Sequence, residues 1–128
     1  MELKTFKVKT LAHATEDEAR IAGAVETVFG VETGRKKATG YWKNPIIIIE
    51  GSGGKKKAEI ILRKLKDLKI SNIPARCEKN RFFVRVDKEK LLLGRLAPGR
   101  DVQIIFGFEG HAPSAGKVAS LVREYWKV

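Results

Sequence analysis

The chain has 128 residues, 43% of them hydrophobic and 32% charged, which is enough for one domain with a real core and too apolar for wholesale disorder. Lys and Arg total 26 against 15 Asp and Glu, and the formal charge of +11 makes nucleic acid the first expected partner, with an anionic membrane surface as its main competitor. The single cysteine, Cys77, excludes an internal disulfide and a cysteine metal cluster. No run approaches the ~20 apolar residues of a membrane span.

The opening Met1-Glu2-Leu3-Lys4 lacks the basic start and apolar block of a secretory signal, so a cytoplasmic location is expected. Residues 3–12 read as a strand with Leu3, Phe6, Val8 and Leu11 inward and Lys4 and Lys7 outside. The step of three between Leu3 and Phe6 calls for a bulge or a late strand start. Thr15-Glu16-Asp17-Glu18 reads as a capping box, with Thr15 as N-cap and three acids complementing the helix dipole. Ile21, Val25, Val28 and Phe29 follow at helical spacing, and Gly30 stops the helix.

Residues 31–44 read as irregular and basic, with Gly34 and Gly40 as breakers. Pro45 sets up an extended chain, and Ile46-Ile47-Ile48-Ile49 reads as a central strand covered on both faces. Gly51-Ser52-Gly53-Gly54 reads as a flexible turn before a helix over residues 55–69, whose core stripe is Ala58, Ile61, Leu62, Leu65 and Leu68. Residues 81–86 form a strand with Phe82, Val84 and Val86 on one face and Phe83, flanked by Arg81 and Arg85, on the other; it is a possible edge strand. Asp87 caps a short helix that Gly94 ends. Residues 102–108 form the last strand, in which Gly107 marks a bulge or a close backbone approach. Pro113 and Ser114 open a final helix with Val118, Leu121, Val122, Tyr125 and Trp126 as its stripe. One domain over residues 1–128, a single sheet with helices packed on it, is the expected architecture.

The enzyme reading finds little support. His13 and His111 are the two histidines, and neither stands in a metal or catalytic spacing. His13 is expected to support the helix cap or to pack beside the sheet edge, and His111 to lie in a turn. Cys77 has basic neighbours, Arg76 and Lys79, which lower a thiol pKa, but it lacks a paired base. Gly51-Ser52-Gly53-Gly54-Lys55 lacks the phosphate-loop spacing, so nucleotide hydrolysis is not expected, although its amides suit a single phosphate. No catalytic residue, metal or cofactor is therefore expected.

Cations and rings remain. Arg35, Lys36, Lys37, Tyr41, Trp42 and Lys43 join charge and aromatic surface in one segment, where cations neutralise phosphates and rings stack unpaired bases. Trp42 reads equally as core. Lys56 and Lys64 belong to a helix face offset only by Glu59 and Asp67, and Arg81 and Arg85 flank Phe83. These ten residues (Arg35, Lys36, Lys37, Tyr41, Trp42, Lys43, Lys56, Lys64, Arg81 and Arg85) are the candidate RNA contacts.

Three pieces then resemble a known family: His13-Ala14-Thr15-Glu16-Asp17-Glu18, Gly40-Tyr41-Trp42-Lys43-Asn44-Pro45-Ile46, and Arg85-Val86-Asp87-Lys88 leading to Gly94, with Asp101 before the last strand. In order and spacing they look like the archaeal RNA-binding family whose members have been described as predicted exosome-associated subunits. Its fold resembles the large-subunit ribosomal protein that contacts 5S RNA. The resemblance implies an α+β fold, a single curved, mainly antiparallel sheet packed by helices on one side, and RNA binding without catalysis. Structured or ribosomal RNA, with a role in processing or ribosome assembly, is the expected partner, and proteins of an RNA-processing complex are further candidates. The rival expectation is a protein-interaction subunit that docks an acidic partner.

Overall fold

The computed structural model describes residues 2–39, 44–110 and 115–127. Strand β1 (Glu2–His13) turns Leu3, Phe6, Val8 and Ala12 into the protein and Thr5, Lys7 and His13 out of it. The step of three between Leu3 and Phe6 is absorbed by a bulge where β1 runs beside β6 (Val102–Glu109). Gly107 lies at that bulge, and a Cβ there would stand 2.8 Å from Thr5 Oγ1, so the strands approach closely because the residue is glycine. Thr10 is buried in β1, and its hydroxyl donates to the Asp101 carbonyl at 2.9 Å.

Helix α1 (Glu18–Phe29) starts at Asp17, whose carboxylate accepts from the Arg20 amide at 3.1 Å. The cap therefore lies two residues beyond Thr15. Glu16 instead closes the preceding turn, accepting from the His13 amide at 3.0 Å. Gly30 ends α1 at φ +67°, the left-handed conformation expected of a helix-stopping glycine.

The segment expected to be irregular contains a strand, β2 (Thr33–Thr39), paired with β3 (Pro45–Gly53). Among the described residues only one neighbour pairs with it, and both its faces carry polar residues, so it has no apolar alternation to read. Strand β3 is covered on one face, not two: Ile49 is fully buried, whereas Ile46 and Ile48 face away from the helices and are half-exposed. Helix α2 (Lys55–Lys64) is shorter than expected, because the chain tightens into a 3₁₀ turn over Leu65–Leu68. A second 3₁₀ turn, Ile73–Arg76, leads into the two-residue strand β4 (Cys77–Glu78). Strand β5 (Arg81–Val86) is not the edge strand. Its outer side is paired with β4 at one end and closed at the other by the 97–99 segment, where the Gly99 amide donates to the Arg85 carbonyl and the Asp87 amide to Ala97. Asp87 caps the short helix α3 (Lys88–Leu92) as expected, accepting from the Lys90 amide at 2.9 Å. Helix α4 (Ala115–Tyr125) completes the described chain; Pro113 and Ser114 lie outside the described residues.

The six strands run in the order β2-β3-β1-β6-β5-β4, every neighbouring pair antiparallel, and the class is α+β as the sequence predicts. All the helices pack on one side of this open sheet. A chain of rings crosses that covered face: Phe29 to Phe6 at 6.3 Å, Phe6 to Phe106 at 6.4 Å, Phe106 to Phe82 at 6.1 Å and Phe82 to Trp126 at 6.0 Å. The Trp126 indole N–H is satisfied by the Leu62 carbonyl at 2.7 Å, which fastens the end of α4 to α2. Ala58, Ile61 and Leu62 from α2 and Val118, Ala119 and Val122 from α4 fill the rest of the same core.

Candidate nucleic-acid interface

Because one face of the sheet is taken by helices, strand alternation delivers every second side chain to the other. Register then determines which of these meet. Gly34, Glu50, Lys9, Gln103 and Arg85 form one cross-strand row. Ser52, Lys7, Ile105 and Phe83 form the next, and Thr5, Gly107, Arg81 and Glu78 the one beyond. On the other flank Lys36 stands beside Ile48 and Leu11. Neighbouring side chains in a row are about 4.8 Å apart, so the open face is a polar-aliphatic surface studded with Lys7, Lys9, Lys36, Arg81 and Arg85.

The embedded carboxylate is Glu50. Lys7 donates to it, with Nζ 3.2 Å from Oε2. That hydrogen bond, outweighing the opposing effect of burial and aided by the charges of Lys7, Lys36 and Lys9, holds the Glu50 carboxyl below the ordinary glutamate range. One permanent anion among three lysines leaves the patch net positive. Arg85 is oriented by donating from Nη1 to the Arg100 carbonyl at 3.2 Å. Phe83, half-exposed, lies between Arg81 and Arg85 along β5 and opposite Ile105.

The ten residues singled out by sequence do not fall on one surface. Lys36, Arg81 and Arg85 share the open face. Arg35 and Lys37 alternate to the helix side of β2, where Arg35 pairs with Glu18 at 3.3 Å. Lys56 and Lys64 are exposed on α2, across the molecule from the open face. Tyr41, Trp42 and Lys43 lie outside the described residues. Lys7 and Lys9 were missed as contacts; their signal was the alternation of β1, but only register places them on the same face as Lys36 and Arg85.

The other sites considered have packing explanations. Gly51 and Gly53 belong to β3, and a Cβ on either would strike Val31 or the Phe6 ring. Lys55, after Gly54, pairs with Glu2 at 2.9 Å. The Cys77 thiol points to the Ile73 carbonyl at 3.3 Å, and burial pushes its pKa up against the weaker pull of Arg123, the reverse of an activated nucleophile. Among the described residues no group of three or more His, Cys, Asp or Glu side chains could hold a metal ion, and no helix is long and apolar enough to cross a membrane. His111 lies outside the described residues.

Comparison with known proteins places the chain among archaeal relatives. The chain is 31% identical to an uncharacterized protein of Methanocaldococcus jannaschii, over 87% of this chain and 88% of that one. It is 27% identical to an RNA-binding protein of Pyrococcus abyssi, over 80% and 79% respectively. In fold it is similar to a DUF54 protein from Methanothermobacter thermautotrophicus, with a TM-score of 0.84 at 21% identity over 99% of this chain and 100% of that one. A family model described as RNA binding matches residues 6–107, from the core of β1 to the bulge in β6, and the chain belongs to that family.

Proposed function

We propose that this is a non-catalytic RNA-binding protein that applies the open face of its sheet to RNA. The observation that carries the reading is the register that puts Lys7, Lys9, Lys36, Arg81 and Arg85 on the one sheet face the helices leave free, with Phe83 between Arg81 and Arg85. The cations hold phosphates and release counterions. Phe83 offers its ring to one unpaired base, a contact worth about 1–3 kcal/mol. Ile48, Leu11 and Ile105 give the sugars an apolar floor. Tyr41, Trp42 and Lys43, in the segment between β2 and β3, add stacking and charge to the same task. The setting we propose is RNA processing or ribosome assembly in the cytoplasm, with structured or ribosomal RNA as ligand. What motivates this setting is the sequence resemblance to the family described as predicted exosome-associated subunits, and the ribosomal-protein-like fold which that resemblance implies.

The test is fluorescence anisotropy with a structured RNA that carries an unpaired loop. Phe83→Ala and Arg85→Ala, both at partly exposed positions, are expected to weaken binding by roughly tenfold each while leaving the melting temperature in place. Unchanged affinity in both variants overturns the sheet-face reading. In-cell crosslinking that recovers the bound RNA then names the ligand.

A further inference from the structure

The second surface is on the opposite side of the molecule. The core stripe of α2 is made by Ala58, Ile61 and Leu62, continued by Leu65, so the fold does not need an apolar residue at position 60. The flanking outward positions, 56, 57, 63 and 64, are all Lys or Arg. Yet Ile60 is isoleucine and 53% exposed. With Leu93 it makes up the exposed large hydrophobic side chains among the described residues. It does not stand on a bare helix. It borders a groove of about 250 Å³ between the C-terminal turn of α1 and α2, lined by Val28 and Phe29 from one helix and Ile60 and Ile61 from the other. Lys57 and Lys64 edge the groove, and among the described residues no carboxylate lines it. Lys57 also donates to the Gly30 carbonyl at 2.5 Å, which fixes one wall to the other and neutralises the carbonyl end of α1.

We propose that this groove docks an acidic amphipathic segment of another protein, one that seats an aliphatic side chain against Ile60 and sets carboxylates against Lys56, Lys57 and Lys64. Charge and shape select this occupant. The one ring in the lining, Phe29, is only 2% exposed, so the groove gives a nucleobase no open ring face to stack on. A second copy of the chain, related by a two-fold axis, would bring the same lysines face to face. A helix with apolar residues at i, i+3, i+4 and i+7 and acids elsewhere meets both the floor and the rim. The site lies across the molecule from the open sheet face, so the protein has room for RNA and a protein partner at once. The inference does not depend on the RNA reading.

The probe is a synthetic 16-residue helical peptide with Leu at i, i+3, i+4 and i+7 and Glu at the remaining positions. It is titrated into the full-length, isotope-labelled chain and followed by amide chemical shifts. Saturable shifts confined to the end of α1 and to α2 are expected, and they are lost when Lys replaces Glu in the peptide. Ile60→Asp is expected to weaken the peptide roughly tenfold or more and Lys64→Glu severalfold, with RNA affinity unchanged in Ile60→Asp. Because Ile60 is outside the core, the melting temperature of Ile60→Asp reports whether the fold is intact, and Lys64→Glu gives a second reading without touching the apolar floor. Absence of saturable shifts, shifts centred on the open sheet face, displacement of the peptide by RNA, or self-association of the chain through α2 overturns the proposal.

Discussion

Lys88 is withdrawn from solvent. Its side chain is 12% exposed, and Nζ donates to the Leu11 carbonyl and to Glu16 Oε1, each at 2.9 Å. It thereby ties α3 to the end of β1 and to the turn before α1. Burial alone would raise the Glu16 carboxyl, but hydrogen bonds from Lys88 and from the His13 amide together overcome it, and the net shift is downward. The folded value is thus below the unfolded one, about 4.3. The pair's contribution is complete above that unfolded value and is lost as the pH falls through the lowered folded value. Lys88→Met, which keeps the length and removes the donor, is expected to cost about 1–2 kcal/mol at pH 7, at the low end for such pairs because Glu16 retains contact with water. Urea unfolding checks this. The gap between variant and parent should narrow at pH 3, and an equal gap at both values would show that the charge plays no part. The three neighbouring acids read as a single helix start in the sequence. Only coordinates show that Asp17 caps, Glu16 receives Lys88 and Glu18 receives Arg35.

Gly99 is an element-scale constraint. It lies where the 97–99 segment closes the outer edge of β5, and a Cβ there would strike the backbone of Asp87, the residue that caps α3. Backbone cannot move aside as a side-chain tip can, so Gly99→Ala is expected to destabilise by about 1–3 kcal/mol. Calorimetry would register this as a melting temperature lower by roughly 4 °C per kcal/mol. Gly107→Ala meets only the Thr5 hydroxyl, which can rotate, and should cost less. An equal loss at both positions would refute the distinction. Elements were legible in the sequence where one face is buried. β1, β5 and β6 alternate, and α1, α2 and α4 carry stripes. β2 was not, because nothing in Thr33–Thr39 is fully buried and the strand exists through its partner β3. The site followed the same rule. Arg81, Phe83 and Arg85 could be read from alternation within one strand, whereas the face they share with Lys7, Lys9 and Lys36 is a property of register, and register between distant segments is not written in any one of them.

For the whole molecule, whose charge is +11, two of the cationic surfaces differ in the chemistry beside the cations. On the open sheet face Arg81 and Arg85 flank an aromatic ring and lysines lie farther across the same face, whereas on α2 Lys56, Lys57 and Lys64 border aliphatic carbons. Total charge alone would make either surface equally good for RNA at low salt, and affinity at one ionic strength cannot separate them. The slope of log affinity against log salt can, because it counts phosphates neutralised at the interface, at roughly 0.7–0.9 per contact. The double variant Lys9→Ala/Arg85→Ala is expected to flatten the slope by roughly 1.4–1.8. Lys56→Ala/Lys64→Ala removes the same formal charge from the other side and should leave the slope close to that of the parent chain. All four side chains are at least partly exposed, so neither variant should unfold the protein. If the α2 pair flattens the slope and the sheet pair does not, RNA lies on the helices. If both flatten it equally, the RNA wraps the molecule and the division of labour between its two faces is wrong.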